Sequence, residues 1–124
     1  MQLDSNMATK MLLDLLPVPV CVKSRYGDTF IYANQAFATL VNQPLARIIG
    51  QPVISVVSAS AATRAAHAEA QLTLEQPERE IITSNIRKDG AENIVQVRKR
   101  LVNIEGHGEG ILCVLHDISQ FVHY

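Results

Sequence analysis

The chain has 124 residues, 48% hydrophobic and 19% charged, with eleven Lys+Arg against twelve Asp+Glu for a net charge of −1. That is room for one domain with a real core, of ordinary globular composition and not that of a disordered chain. The charge lacks the basic footprint of a nucleic-acid surface, no run reaches the ~18 apolar residues of a membrane span, and no charged-then-apolar signal segment opens the chain.

Residues 1–16 read as an N-terminal amphipathic helix. Met7, Met11, Leu12, Leu15 and Leu16 fall on one face, Asp4 or Ser5 can cap it, and Pro17 stops it. Such a face is covered either by the chain's own domain or by a partner. Pro17 to Lys23 is a first strand and Thr29 to Ala33 a second, joined by the turn Arg25-Tyr26-Gly27-Asp28. Asn34 caps a short helix, Gln35 to Val41, whose inner face is Phe37, Leu40 and Val41. Pro44 opens another, carrying Ile48 and Ile49 inward, and Gly50 ends it.

Ser58 to Leu74 is the longest helical candidate, alanine-rich and free of glycine and proline. Ala61, Ala65, Ala68 and Leu72 form one stripe; Arg64, His67 and Gln71 form another. So little bulk inward leaves two possibilities: the helix lies close on a sheet, or it leaves a ligand-sized gap.

The last third reads as strand, tight turn, strand, loop, strand. Asp89-Gly90, within Arg87-Lys88-Asp89-Gly90, predicts a hairpin turn of type I′ between Glu80–Ile86 and Asn93–Asn103. In the second of these strands Val95, Val97 and Leu101 alternate with Gln96, Arg98 and Arg100, and Lys99 interrupts the buried face. The first, with Thr83, Ser84 and Asn85, suits a sheet edge. Ile111 to Leu115 is apolar on both faces, as a central strand is. The glycine-rich connector 105–110 opens a strand, not a helix, so it is no phosphate loop.

No catalytic constellation emerges. His67, His107, His116 and His123 share no metal-ligand spacing with one another or with Cys21 and Cys113, so no metal site is expected. Both cysteines lie in apolar segments and read as small buried hydrophobes. Ser58 and Ser60 lie in no nucleophile-elbow pattern, and Glu75, Glu78 and Glu80 flank Pro77 as solvated acids. The expectation is a non-enzymatic domain.

The order of these elements resembles that of a PAS domain. Its carriers are Leu16-Pro17-Val18-Pro19-Val20, then Gly27 followed by Tyr32-Ala33-Asn34-Gln35-Ala36-Phe37, Ile48-Ile49-Gly50, Arg87-Lys88-Asp89-Gly90 and Asp117-Ile118-Ser119. The resemblance implies an α+β fold: a five-stranded antiparallel sheet in the order 2-1-5-4-3, with short helices and one longer helix on one face. It divides the chain into the N-terminal helix, a PAS domain over residues 17–120 and, at 121–124, the start of a linker. Two positions depart from the family pattern: Ser24 stands where many members carry Asp, and Ser119 replaces the usual Thr of the terminal motif.

The resemblance implies a sensory and dimerisation module. A small ligand or partner would shift it between two arrangements and bias a C-terminal output domain: a histidine kinase, a cyclic-dinucleotide enzyme or a DNA-binding domain. Pocket-lining candidates are Phe37, Leu40, Ile49, Val95, Val97, Lys99, Ile111, Cys113 and Leu115. Lys99 would face a bound anion, snorkel, or pair with Asp117. Asp117 and Ser119 would form the signal relay, with Lys88, Lys99 or Arg100 as possible partners of Asp117, or else would simply cap the outgoing segment. The cofactor is left open. Flavin-photoadduct members carry an Asn-Cys motif before the long helix, where this chain has no cysteine. Haem-binding members use a histidine on that helix, and His67 is the candidate, although Arg64 and Gln71 beside it favour a solvent-facing residue. The expected partner is a second copy, through the N-terminal helix and outer sheet face, in a cytoplasmic two-component or transcription-regulating protein. The alternative is a ligand-free interaction scaffold of the same fold.

Overall fold

Alternation of buried and exposed residues along three long segments sets the frame. In the computed structural model, which describes residues 2–3, 7–26 and 28–121, they pair as neighbouring antiparallel strands. The elements in chain order are β1 (Gln2–Leu3), α1 (Met7–Leu15), β2 (Val20–Ser24), β3 (Phe30–Ala33), α2 (Gln35–Val41), α3 (Ala59–Glu69), β4 (Glu78–Ser84), β5 (Ile94–Ile104) and β6 (Gly108–Asp117). Short 3-10 turns occupy Leu45–Arg47, Val53–Ser55 and Ser119–Phe121.

The five antiparallel strands stand in the order β3-β2-β6-β5-β4, which is 2-1-5-4-3 when counted from Val20. β1 adds a sixth, pairing in parallel with Asn103 and Ile104 of β5, a strand the sequence reading had not placed. β6 is central, as its two-sided apolar run predicts, and β4 pairs with β5 at an edge. The proposed caps Asp4 and Ser5, the turn glycine Gly27 and His123 lie outside the described residues.

The main core lies between one sheet face and the helices: Cys21, Phe30, Phe37, Val41, Ile48, Val53, Val56, Leu72, Val95, Val97, Ile111, Cys113 and Leu115 are all buried in one cluster. A smaller cluster of Val22, Val102 and Ile104 sits on the opposite face. A register shift between Val22 and Lys23 against β3 lets Phe30 and Ala33, three residues apart, both turn into the core. Gly110 admits a close approach to β2: a Cβ there would lie 2.8 Å from the Lys23 carbonyl oxygen and 2.3 Å from Ile104 Cδ1.

Several local expectations change. The long helix ends at Glu69, not Leu74, because its last turn tightens: Gln71 N–H donates to Ala68 C=O and Leu72 N–H to Glu69 C=O, which carries Leu72 into the core. Ile48 is fully buried, but Ile49 is 43% exposed. The 3-10 turn ends at Arg47; Ile48 is its C-cap and Ile49 lies beyond it, in a turn closed by Gln51 N–H to Ile48 C=O that leaves Ile49 outside the core. The β4–β5 connection is no two-residue type I′ hairpin. It spans residues 85–93; of the turn pair only Gly90, and not Asp89, has positive φ, and Gly90 N–H donates to Arg87 C=O. That is a β-turn with glycine at its last position. Asn85 and Asn93 close the loop above it, through Asn85 N–H to Asn93 C=O (2.9 Å) and Ile86 N–H to Asn93 Oδ1 (3.2 Å).

Asn34 knits the start of the fold together and is fully buried. Its Oδ1 accepts from Val20 N–H and Phe37 N–H, both at 3.0 Å, while Nδ2 donates to Leu13 C=O (3.0 Å) and Val18 C=O (2.8 Å). One amide thus caps α2, starts β2 and holds the end of α1. Tyr32 Oη adds a bond to Asp14 Oδ1 at 2.6 Å. Met11, Leu12 and Leu15 on α1 nevertheless stay exposed.

Candidate functional site

Two rows of side chains on the helix-facing side of the sheet build the site. Antiparallel register sets Cys21 of β2 opposite Cys113 of β6, and Cys113 opposite Lys99 of β5. Lys23 follows Cys21 by two residues and so shares its face. α3 crosses above, with the small side chains of Ala61 and Ala65 toward the sheet and Glu69 at its end. Arg64 fastens the helix to β4, its Nε donating to Thr83 Oγ1 at 2.9 Å.

Both lysines converge on one carboxylate oxygen. Lys99 Nζ lies 2.7 Å from Glu69 Oε2, and Lys23 Nζ donates to the same atom. Lys23 is 4% and Lys99 3% exposed. Burying an ammonium is costly unless it is paired, and Glu69 supplies the pairing. Burial by itself would raise the Glu69 carboxyl; the ammoniums of Lys23 and Lys99, with their hydrogen bonds, outweigh it and hold the group below its ordinary range.

With both lysines ionised, two ammoniums face one carboxylate, an excess of one positive charge. Cys113 lies beside that excess, its Sγ 3.6 Å from Lys99 Nζ. The thiol of Cys21, bonded to Cys113, and the ammoniums of Lys99 and Lys23 pull the Cys113 thiol below its usual range against the opposing effect of burial. The Cys21 thiol is pushed up by that same bond and by burial. Burial alone would lower Lys99, but the charges of Cys113 and Glu69 raise it.

A cavity of about 60 Å³ opens onto this group. Phe30 and Phe37, with ring centroids 5.5 Å apart, form one wall, and Val97, Leu115, Ile86 and Ala61 contribute to the others. Ala65, Ile81 and Thr83 also line it and are only half-buried, which places the way in between α3 and β4. The site therefore offers a small apolar space with ammonium groups and the sulfur of Cys113 on its floor.

Of the pocket residues expected from sequence, Phe37, Val97, Lys99, Cys113 and Leu115 line this cavity. Val95 and Ile111 are buried in the core outside its lining, Leu40 packs at the core's margin, and Ile49 faces out. His67 is exposed on α3, away from the lining, so the residues present do not fit a haem held by that side chain. Lys99 neither snorkels nor meets Asp117, because Glu69 takes its ammonium. Asp117 instead accepts at Oδ1 from Ser119 N–H (2.9 Å) and Ser119 Oγ (2.6 Å), while Arg100 pairs with Glu78. Ser119 Oγ in turn accepts from Ile94 N–H at 2.9 Å, tying the end of β6 to the start of β5.

Lys23 and Glu69 were missed in the sequence. Glu69 had a usable signal: it follows Ala65 by four residues and Ala61 by eight, which sets an acid on the small-residue ridge that faces Lys99.

Comparison with known proteins gives a consistent result. A family model described as PAS fold matches residues 13–123. Among solved structures, the PAS domain of an HTR-like protein from Haloarcula marismortui superposes with a TM-score of 0.72 at 19% identity, covering 90% of this chain and 89% of that one. A PAS domain from a Colwellia psychrerythraea protein gives 0.72 at 20% identity, over 91% and 96% of the two chains. A PAS domain from a two-component sensor histidine kinase gives 0.70 at 8% identity, over 89% and 93%. No curated protein matches the chain.

Proposed function

The chain belongs to the PAS fold family, and on that premise we propose that it is a non-enzymatic sensory module whose cavity binds a small molecule and whose β6 exit relays occupancy to an output domain. The carrying observation is the cavity floor, where Lys23 and Lys99 place ammonium hydrogens beside the Cys113 sulfur beneath apolar walls. A fitting guest is small and mainly apolar, with one hydrogen-bond acceptor directed at the lysines. Binding would act on β5 and β6 together, and those are the strands that Ser119 ties at the domain's exit.

The output domain is a histidine kinase, a cyclic-dinucleotide enzyme or a DNA-binding domain. The first is supported by the resemblance in fold to a PAS domain of a two-component sensor histidine kinase. Homodimerisation through α1 and the outer sheet face is supported by the exposure of Met11, Leu12 and Leu15. A cytoplasmic setting accords with two buried free thiols facing each other across neighbouring strands. No helix among the described residues is long and apolar enough to cross a membrane.

A second reading, a ligand-free interaction scaffold, draws support from the cavity's size: about 60 Å³, against ~300–1,000 Å³ for drug-sized sites. Native and denatured masses of the purified protein, with its visible spectrum, separate the two. A small molecule released on denaturation supports the sensor, and equal masses favour the scaffold.

A further inference from the structure

We propose that Cys113 and Cys21 form an oxidisable thiol pair that makes the cavity a reaction site for small hydroperoxides, Cys113 attacking and Cys21 resolving. A hydroperoxide would enter the same cavity as a guest and compete with it.

Register supplies the first argument. Leu115 N–H donates to Pro19 C=O, and Arg25 N–H to Glu109 C=O, so alternate facing pairs between those two are the hydrogen-bonded ones. Cys21–Cys113 is among them, and such pairs have Cα atoms about 5.5 Å apart. That lies inside the ~4.4–6.8 Å range that a disulfide spans, but facing Cβ atoms of a hydrogen-bonded pair stand about 5.5 Å apart against the ~3.5–4.5 Å of a disulfide, so bridging shifts β2 slightly against β6 without an exchange of strands. Both side chains line the same cavity, so they stand on the same face of the sheet.

Charge supplies the second. Lys23 and Lys99 share one carboxylate oxygen of Glu69, and Lys99 Nζ also reaches Cys113 Sγ at 3.6 Å. A thiolate on Cys113 makes this buried group of four electrically neutral; without it one positive charge is left uncancelled. Cys21 sits one strand farther from Lys99, which assigns the attacking role to Cys113.

Access supplies the third. Cys113 is 2% exposed, so bulky thiol reagents are excluded, but the cavity of about 60 Å³ reaches it from between α3 and β4. That is room for a molecule the size of one or two waters, hydrogen peroxide among them.

The chemistry balances as follows. The Cys113 thiolate forms an S–O bond to one peroxide oxygen as the O–O bond breaks. The peroxide gains two electrons, and the departing hydroxide takes up the proton Cys113 had released and leaves as water. The Cys21 thiol then displaces hydroxide from the Cys113 sulfenic acid, which gives the disulfide and a second water. The bridge would lock β2 to β6, the strand whose end carries Asp117 and Ser119, so oxidation would reach the same exit as a guest.

The test is titration of the reduced full chain with hydrogen peroxide, read by intact mass and by peptide mapping without reductant. Loss of two hydrogens, with an intramolecular Cys21–Cys113 peptide, is expected. Cys21→Ser should halt the reaction at a Cys113 sulfenic acid, read as the gain of one oxygen and captured by dimedone when the oxidised protein is unfolded in its presence, and Cys113→Ser should abolish both products. Lys99→Met should slow oxidation about tenfold at neutral pH. Both serine variants are near-isosteric and keep the fold readable even where Lys99→Met does not fold. The proposal is overturned if dimedone labels Cys21 in preference to Cys113, if the link forms between chains, or if the native protein resists peroxide that oxidises its urea-unfolded form.

Discussion

The ammonium of Lys99 lies 2.7 Å from Glu69 Oε2 and joins the middle of β5 to the end of α3. Because Lys23 reaches the same oxygen, one carboxylate fixes the helix over the sheet and sets the charge of the cavity floor.

Removing that carboxylate should be the most damaging single change at the site. Glu69→Gln strands two buried ammoniums and is expected to cost about 3–5 kcal/mol. Lys99→Met leaves a balanced Lys23–Glu69 pair and should cost about 1–2 kcal/mol. Urea unfolding of the two variants checks the order; equal losses would show that charge balance is not what the cluster supplies.

Glu69 also predicts a pH dependence. Its carboxyl is held below the ordinary glutamate range in the folded protein, so on acidification the unfolded chain takes up the proton first. The pairing therefore stabilises fully above that range and is lost as pH falls through the folded value. Denaturation midpoints should drop with acidification in the wild type, and Glu69→Gln should remove part of that slope.

Asn34 offers a test of how α1 is joined to the core. Asn34→Asp keeps both acceptors for Val20 and Phe37 but loses both donors, and it sets a carboxylate against the Leu13 and Val18 carbonyls. It should destabilise as much as Asn34→Ala, about 2–4 kcal/mol. Amide exchange in residues 10–16 should rise in both; protection retained in the aspartate variant would show that the cap alone matters.

The relay at the exit is testable through Ser119. Ser119→Ala removes the acceptor for Ile94 N–H, at a cost of about 1 kcal/mol, and should raise exchange at Ile94 without loosening the middle of β5. Asp117→Ala, which frees the Ser119 hydroxyl, should alter regulation in the full-length protein while the isolated domain stays folded. Unaltered regulation would reduce the motif to a local cap.

Much of this was legible in the residues. Strict alternation around Val95, Val97 and Leu101 marked Lys99 as buried, and the two-sided run from Ile111 to Leu115 marked the central strand. What stayed hidden was mostly long-range pairing. Lys99 and Glu69 are 30 residues apart and Lys23 and Glu69 46, so no local spacing links them. Lys23 also lies in a strand too short to show its inner face, Cys21-Val22-Lys23 being buried throughout. Asp117 was sought a basic partner, yet a hydroxyl two residues away bonds it at no loop-closure cost. Ile49 faces out because the helical segment after Pro44 stops at Arg47, so no helical period carries past the cap at Ile48.

The most direct test of the sensory reading compares the native masses of wild type and Ala65→Leu. Ala65 lines the cavity from α3, and leucine there fills the space with good helix propensity, so the fold should persist. The account predicts a small molecule that leaves the wild type on denaturation and is missing from folded Ala65→Leu. Equal occupancy in both proteins, or none in the wild type, would contradict it.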